Sequence, residues 1–470
     1  MLPTIATGNV GSALAGEYEV DNSLRFDDGS SDTLQKTFSS ASNRKTWTWS
    51  CWVKRCTLST TQVIFVGGSP NTWIRFRDND KLELFAQEDY KLDVITDMVF
   101  RDSISWYHIC VAVDMTQASQ SNRVKIYVNG SLVDVTVAYA VQNFDTGISN
   151  NSTHYIGRLN YVAVQYIDMY LAEMVFIDGT QNDVTDFGEF DSDSNIWKPK
   201  DVSDLTFGTN GFYLDFEDSS ALGNDVSGNN NDWTVNNLTA VDQSTDTCTN
   251  NGCTLNPLVQ AGSITSGATH TFSNGNLSLT GGTNKWIADY GTFALTTGKW
   301  FYEIKLTTFS SPSGSPIRVG WGAINDVVKD NNIYFRGLTY DLQGIVRYGS
   351  GGTDGGTTTG RTAFVQGDIV SIAIDIDNDE ITFYKNGSVT NVEDFDYSSL
   401  TTNIKRSLDF AIAPHIVMYA NNSNAVDYNF GSPPYSESGG NSDANGYGNF
   451  SMAVPSGYYS LNTKNLAEFG

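Results

Sequence analysis

Across 470 residues, 28 lysines and arginines are set against 53 aspartates and glutamates, a formal net charge of -25. So acidic a chain repels phosphate backbones and anionic lipid, which argues against nucleic-acid binding and against docking on a membrane by charge. Its 43 glycines and 12% aromatic content fit a turn-rich β protein of two or three domains.

In chain order, residues 1–20 are small and aperiodic and read as an N-terminal arm. The opening MLPTIATGNVGSALAG lacks a basic start and a long apolar run, so it is not read as a secretory signal. No later stretch reaches the roughly 18 apolar residues of a membrane span, so no membrane insertion is expected, and synthesis and assembly in a cytoplasm follow.

The first domain is predicted over residues 21–235. TWTWSCWVKR places Trp47, Trp49, Cys51 and Val53 on one face of a strand, predicted to be core, and Thr48, Ser50, Trp52 and Lys54 on the other. QVIFVGG, WIRFR, KLELFA, WYHICVAV, VKIYVNG, HYIGR and DMYLAEMVFID read as further strands. FYLDFEDSSALGNDVSGNNNDW, residues 212–233, is read as a strand that returns to complete this domain. Five cysteines, Cys51, Cys56, Cys110, Cys248 and Cys253, form no zinc-like pair and are expected as thiols, with a small Cys248–Cys253 disulfide left open.

Residues 236–269, rich in Thr, Asn, Asp and Gln, are the predicted linker, and a second domain follows over residues 270–432. Its centre is GDIVSIAIDIDNDEITFYKNG. Val370, Ile372 and Ile374 alternate with polar residues, Asp377 to Asp379 turn the chain, and Asn386-Gly387 supplies the positive-φ pair of a tight hairpin. Tyr127-Val128-Asn129-Gly130-Ser131 answers it in the first domain. The glycine-rich residues 349–360 are predicted to form a loop, and residues 433–470 a tail able to dock on a domain or a partner chain.

SLRFDDG, WTWSCWVK, WYHICVAVD, KIYVNGSLV, YIGR and YLAEMVFID, in that order, resemble laminin-G-like domains of the concanavalin A-like lectin and glucanase superfamily. GKWFYE, VGW, the GD-x-V to YKNG hairpin and the closing NFG resemble the SPRY, or B30.2, domain. Together the resemblances imply an all-β chain of two tandem antiparallel sandwiches, the first a jelly roll. Laminin-G-like domains sometimes hold calcium, for which Asp27, Asp28, Asp225 and Asn229 are hard-oxygen candidates, with turn capping as the alternative. No other cofactor is implied.

Sandwiches offer rim loops and faces on a rigid frame, where aromatics stack on sugar rings or peptide side chains. The candidates are Trp286, Tyr290, Tyr334, Phe335, Arg336, Arg347 and Tyr348 in the second domain and Trp73 and Tyr161 in the first, with core packing as the alternative for each. A glycosidase would need two facing carboxylates, and the nearest match is Glu189-Phe190-Asp191-Ser192-Asp193-Ser194, which lacks the third acid of E-x-D-x-x-E. His108 and His415 lie in predicted strands and read as hydrogen-bonded structural residues.

The whole resembles a surface protein of tailed bacteriophages, of fibre or head-decoration type. That resemblance implies a non-enzymatic virion component at the particle surface, oligomeric, touching other virion proteins, and binding glycan or protein on the host. A polysaccharide-degrading enzyme and an intracellular adaptor working through its SPRY rim are the rival readings.

Overall fold

The computed structural model of the chain describes residues 18–262, 270–282, 285–309, 316–324, 337–350, 353–389, 395–396, 411–420 and 424–470. Two compact units divide between Asn251 and Gly252. Among the described residues the only α-helix is Thr463–Phe469, and no helix is long and apolar enough to cross a membrane.

The first unit packs two eight-stranded antiparallel sheets around one core. One sheet runs Ser131–Leu132, Val124–Val128, Tyr107–Asp114, Thr46–Arg55, Met169–Asp178, Ser23–Phe26 and Gln243–Ser244, with Phe212–Leu214 also paired to Met169–Asp178. The other runs Val135–Ala140, Leu92–Thr96, Leu82–Ala86, Thr72–Phe76, Gln62–Gly67, Thr153–Ile156, Thr33–Thr37 and Thr234–Asn236. Trp47, Trp49, Cys51 and Val53 do point into the core between them, as the alternation predicts.

The opposite face of Thr46–Arg55 is buried as well. Trp52, Cys110, Tyr170, Ala172 and Val175 are covered by Val184, Phe187, Trp197, Val202 and Phe207, a third layer drawn from the segment after Met169–Asp178. This sheet is therefore armoured on its outward side, and Lys54 is buried there on Asp246 at 2.6 Å.

The stretch read as a linker is built into the units over its described part. Thr234–Asn236 pairs with Thr33–Thr37, Gln243–Ser244 pairs with Ser23–Phe26, and Leu255–Gly262 pairs with Lys285–Gly291 in the second unit. Backbone ladders hold these edge strands, so they need no apolar alternation to form.

In the second unit, Leu255–Gly262, Lys285–Gly291, Ile412–Ala420, Ile317–Ala323, Gly337–Asp341, Val346–Ser350 and Thr353–Thr358 form one sheet. Its partner runs His270–Ser273, Ser278–Gly281, Ala425–Asn429, Lys299–Thr308, Ile369–Asp375, Glu380–Lys385 and Ser388–Val389. In the central hairpin Ile372 lies opposite Phe383 and Ile374 opposite Ile381, with the chain turning at residues 376–379, and the next turn, into Ser388–Val389, uses Asn386 at φ 49° and Gly387 at φ 77° as predicted. The glycine-rich run is not a loop throughout, because Thr353–Thr358 pairs with Val346–Ser350.

The tail is part of this unit. Tyr459–Ser460 pairs in parallel with Lys299–Thr308, and Phe450, Met452, Val454 and Tyr458 cover Phe301 and Ala373 on the outward face of the sheet. Beneath them the fully buried carboxylate of Glu303 accepts from Ser371 Oγ, Asn429 Nδ2, Ser451 N and Ser451 Oγ.

Candidate functional site

Each sandwich thus has one sheet whose outward face the chain itself covers. The outward faces of the other two sheets carry only small satellite clusters among the described residues. In the first unit, WIRFR and KLELFA alternate so that Ile74, Phe76, Leu82 and Leu84 enter the core while Trp73, Arg75, Glu83 and Phe85 turn outward. Strand register then aligns one row across this open face. Tyr155 lies opposite Val66, Val66 opposite Trp73, Trp73 opposite Phe85, Phe85 opposite Asp93, and Asp93 opposite Tyr139. At about 4.8 Å per strand, the row from Tyr155 to Asp93 is about 19 Å long.

Planar groups pave it. Trp73 stacks on Phe85 at 5.0 Å, Arg75 lies 4.9 Å over the Trp73 ring, Arg158 lies 4.1 Å over Tyr155, and exposed Tyr90 meets Tyr139 edge-on at 5.0 Å. Glu83, 3% exposed, gathers the Trp73 indole N–H, Arg75 and Arg77 on its two oxygens, so the middle of the row is fixed by charge-assisted bonds. Burial and the neighbouring Glu83 raise the Asp93 carboxyl above its ordinary range. One edge is bounded by the loop after Thr153–Ile156, whose Leu159 packs into the cluster and whose Tyr161, Val162 and Val164 are exposed.

Both first-domain candidates therefore belong to this face, in different roles. Tyr161 is 57% exposed at its border, whereas Trp73 is 4% exposed and underlies the row as a buttress. Phe85, Tyr155, Arg75 and Arg158 were missed. The alternation in WIRFR and KLELFA was the signal, since both faces of those strands carry large side chains.

In the second unit, Trp286, Tyr290 and Arg347 share the open face, with Arg347 four strands from Tyr290. Tyr290, His415, Gly320, Thr339 and Arg347 form one rung across four strand pairs. Tyr290 is buried and stacks on His415 at 4.4 Å; Trp286 is capped by Arg318 at 4.6 Å and meets Tyr419 edge-on at 5.4 Å. Arg347 is held by Asp341 at 2.7 Å. Tyr348 turns the other way and packs against the core. Tyr334, Phe335 and Arg336 lie outside the described residues.

The armoured face of the first unit holds the groups that come nearest to catalytic chemistry. His108 lies 2.8 Å from Ser50 Oγ, beside a cavity of about 10 Å³ with room for at most one water, and Glu173 lines the same cavity. An indole nitrogen only donates, so the Trp197 Nε1–H bond to His108 Nδ1, at 3.1 Å, places the ring proton on Nε2, which donates to Ser50. A nucleophilic pair needs the reverse, a histidine that accepts from the serine. Burial also drops the His108 pKa to about 3, so the ring is a neutral structural bridge.

Glu189 and Asp191 sit on the small hairpin of Gly188–Phe190 with Trp197–Pro199, both near Lys198, at 3.6 and 3.4 Å. Asp191 accepts from Ser194 N, Ser194 Oγ and Asp193 N, which hold its pKa at about 2 and keep it ionised as a turn cap. Most of the calcium candidates likewise take part in turn hydrogen bonds. Asp225 accepts from the N–H groups of Tyr213, Ser227 and Asn231, Asp27 accepts from Ser30 N, and Asn229 donates to the carbonyls of Gly208 and Gly211. Asp28 is exposed, and no cluster of three or more His, Cys, Asp or Glu able to hold a metal occurs among the described residues. All five cysteines are free thiols.

No curated protein matches the chain. The SPRY domain of human HERC1 is similar over 37% of this chain and 96% of its own, at 18% identity and a TM-score of 0.28. A heptameric SAP-like pentraxin from Limulus polyphemus covers 35% of this chain and 78% of its own, at 16% identity and 0.27. Mouse laminin α1 domains LG4-5 cover 90% and 92%, at 10% identity and 0.29. Residues 28–183 match the family described as the concanavalin A-like lectin/glucanases superfamily, and residues 299–432 match the SPRY domain. The chain therefore carries a concanavalin A-like domain followed by a SPRY domain.

Proposed function

We propose that this chain is a non-catalytic binding protein whose first sandwich holds an extended glycan along the row from Tyr155 to Asp93. The observation that carries the reading is the row itself: half-buried aromatic planes aligned by strand register, backed by Trp73, with carboxylate and guanidinium groups beside them. Sugar rings have apolar faces and hydroxyl edges, and a surface of planes flanked by fixed polar groups meets both. The frame is formed before the ligand arrives, so little ordering entropy opposes binding.

The wider setting we propose rests on the sequence resemblance. The protein is displayed at a virion surface as a homo-oligomer beside other particle proteins, and attaches the particle to host glycan or protein; many copies would supply avidity where one face binds weakly. The open face of the SPRY domain, with Trp286, Arg318 and Arg347, would offer a second contact.

A glycan array probed with the full chain tests the first part. Phe85→Ala and Tyr155→Ala are expected to weaken the best ligand about tenfold each, the loss of one well-placed aromatic contact. Retained binding in both variants would remove the row from the reading. Release of reducing ends from any polysaccharide would overturn the non-catalytic assignment, and absence from purified particles would overturn the virion assignment.

A further inference from the structure

Most described arginines have an anionic or carbonyl partner. Arg75 and Arg77 share Glu83, Arg55 and Arg101 share Asp80, Arg347 holds Asp341, and Arg44 and Arg123 bind backbone carbonyls. Arg158 departs from this pattern. Its guanidinium lies on the Tyr155 ring, no carboxylate among the described residues is within ion-pair reach, and its Nε is buried with no acceptor among them. In a chain with 53 acidic residues, a half-buried guanidinium left without an anion is a costly arrangement unless something else supplies one.

Its surroundings repeat the theme. The loop carrying Arg158 closes on itself through Ile167 N to Gly157 O and Leu159 N to Val164 O, both 3.1 Å, which sets Gln165 on the limb facing Arg158. Gln165 Oε1 is also buried without a donor, and so is Asp93 Oδ1 at the far end of the row. These three atoms are enclosed, but the side chains are half-buried, so what the face offers a ligand is the outer N–H groups of Arg158 at the Tyr155 end and the outer oxygen of Asp93 at the other.

We infer that the ligand of this face is an anionic glycan whose carboxylate or sulfate is received by Arg158, with a hydroxyl group donating to the outer oxygen of Asp93. This rests on the reading of the row as a sugar site. A guanidinium fork matches the two oxygens of either anion, and its stacking on Tyr155 orients the fork before binding. Asp93, about 19 Å away by strand spacing, sets the polarity: the charged sugar lies at the Tyr155 end, and a second anion at the Asp93 end is disfavoured.

The experiment is titration calorimetry of the full chain with matched neutral, carboxylated and sulfated oligosaccharides, and with free glucuronate and inorganic sulfate. It is run on wild type, Arg158→Gln and Arg158→Lys. Wild type is expected to prefer a charged ligand about tenfold or more, the preference falling with added salt. Arg158→Gln is expected to abolish that preference, read within each variant as the ratio of charged- to neutral-ligand affinity, while Arg158→Lys recovers part of it. Whether carboxylate or sulfate wins identifies the anion.

Equal affinity for neutral and charged ligands overturns the role of Arg158 and leaves the glycan row standing. Glycans that fail to bind, with free anions bound only when Arg158 is present, overturn the row and point to an anionic partner that is not a sugar. Failure of every probe overturns both.

Discussion

Glu173 is the sharpest physical test of the first sandwich. It lies at a bulge where the pairing of Met169–Asp178 with Thr46–Arg55 shifts register, at φ 51°, and its Oε2 accepts from Tyr18 and Tyr213 at 2.8 and 2.7 Å. Burial outweighs those two donors and lifts its pKa from 4.5 to about 7. The sign follows from linkage. The folded state binds this proton more tightly than the unfolded chain does, so the contribution to stability is whole below pH 4.5 and is lost as pH rises through 7. A displacement of about 2.5 pH units at 1.36 kcal/mol each makes the loss about 3 kcal/mol. Glu173→Gln keeps the shape and an acceptor for the tyrosines while removing the titration. Thermal unfolding of the first unit, followed from pH 4.5 to 8, should show wild type falling relative to the variant, on the order of 5–10 °C for a unit this size. Asp32, whose pKa burial lifts to about 6, titrates in both chains and cancels in the difference. Parallel curves would refute the assignment, and a constant offset would reduce Glu173 to an ordinary hydrogen-bond acceptor.

Three further outcomes can be checked. Asp246→Ala removes the carboxylate that Lys54 Nζ and the Trp106 indole now share, leaving the buried ammonium on the Asn251 amide oxygen without that counter-charge, and should cost about 3–5 kcal/mol by denaturant unfolding. A chain ending at Ser432 exposes Phe301 and leaves Glu303 without Ser451; loss of Phe450 burial alone costs about 1.5–3 kcal/mol, and dye binding to the exposed face reports it. Gly322→Ala sets a methyl 2.7 Å from the His415 ring, which must leave its stack on Tyr290, for a cost of about 1–3 kcal/mol and a change in the His415 ring resonances.

The sandwich frame was legible because its strands alternate and its turns use residues that tolerate positive φ. Asn129 and Gly130, at φ 47° and 77°, repeat the geometry of Asn386 and Gly387 almost angle for angle. Residues 212–233 were read as returning to the first sandwich, and Phe212–Leu214 does pair with Met169–Asp178. What escaped sequence reading was the cover of the first unit; docking of the tail that carries Phe450 was expected, but not the sheet it covers. Trp197, Phe207 and Phe450 lie in stretches without periodicity, because a segment draped over a finished sheet needs only an apolar residue where it touches. The polar edge strands escaped for a related reason, since their stability comes from backbone ladders. Arg158 was visible in YIGR but only as a mark of the fold; its missing partner is a property of space, not of spacing.

The covers also explain where a ligand can go. A strand such as Thr46–Arg55, with large side chains on both faces, must bury both, and in each unit the chain supplies the second layer itself. On the open faces, arginines take that part: Arg75 over Trp73, Arg158 over Tyr155 and Arg318 over Trp286 lay a planar cation on an aromatic ring. A guanidinium shields the ring from water, but the three differ in access: Arg75 already donates to Glu83, Arg318 is buried, and half-buried Arg158 keeps only its outer N–H groups within reach of an arriving acceptor. Under the proposed function, the same ring-on-cation pairing would be what meets a polar, ring-bearing ligand on these faces.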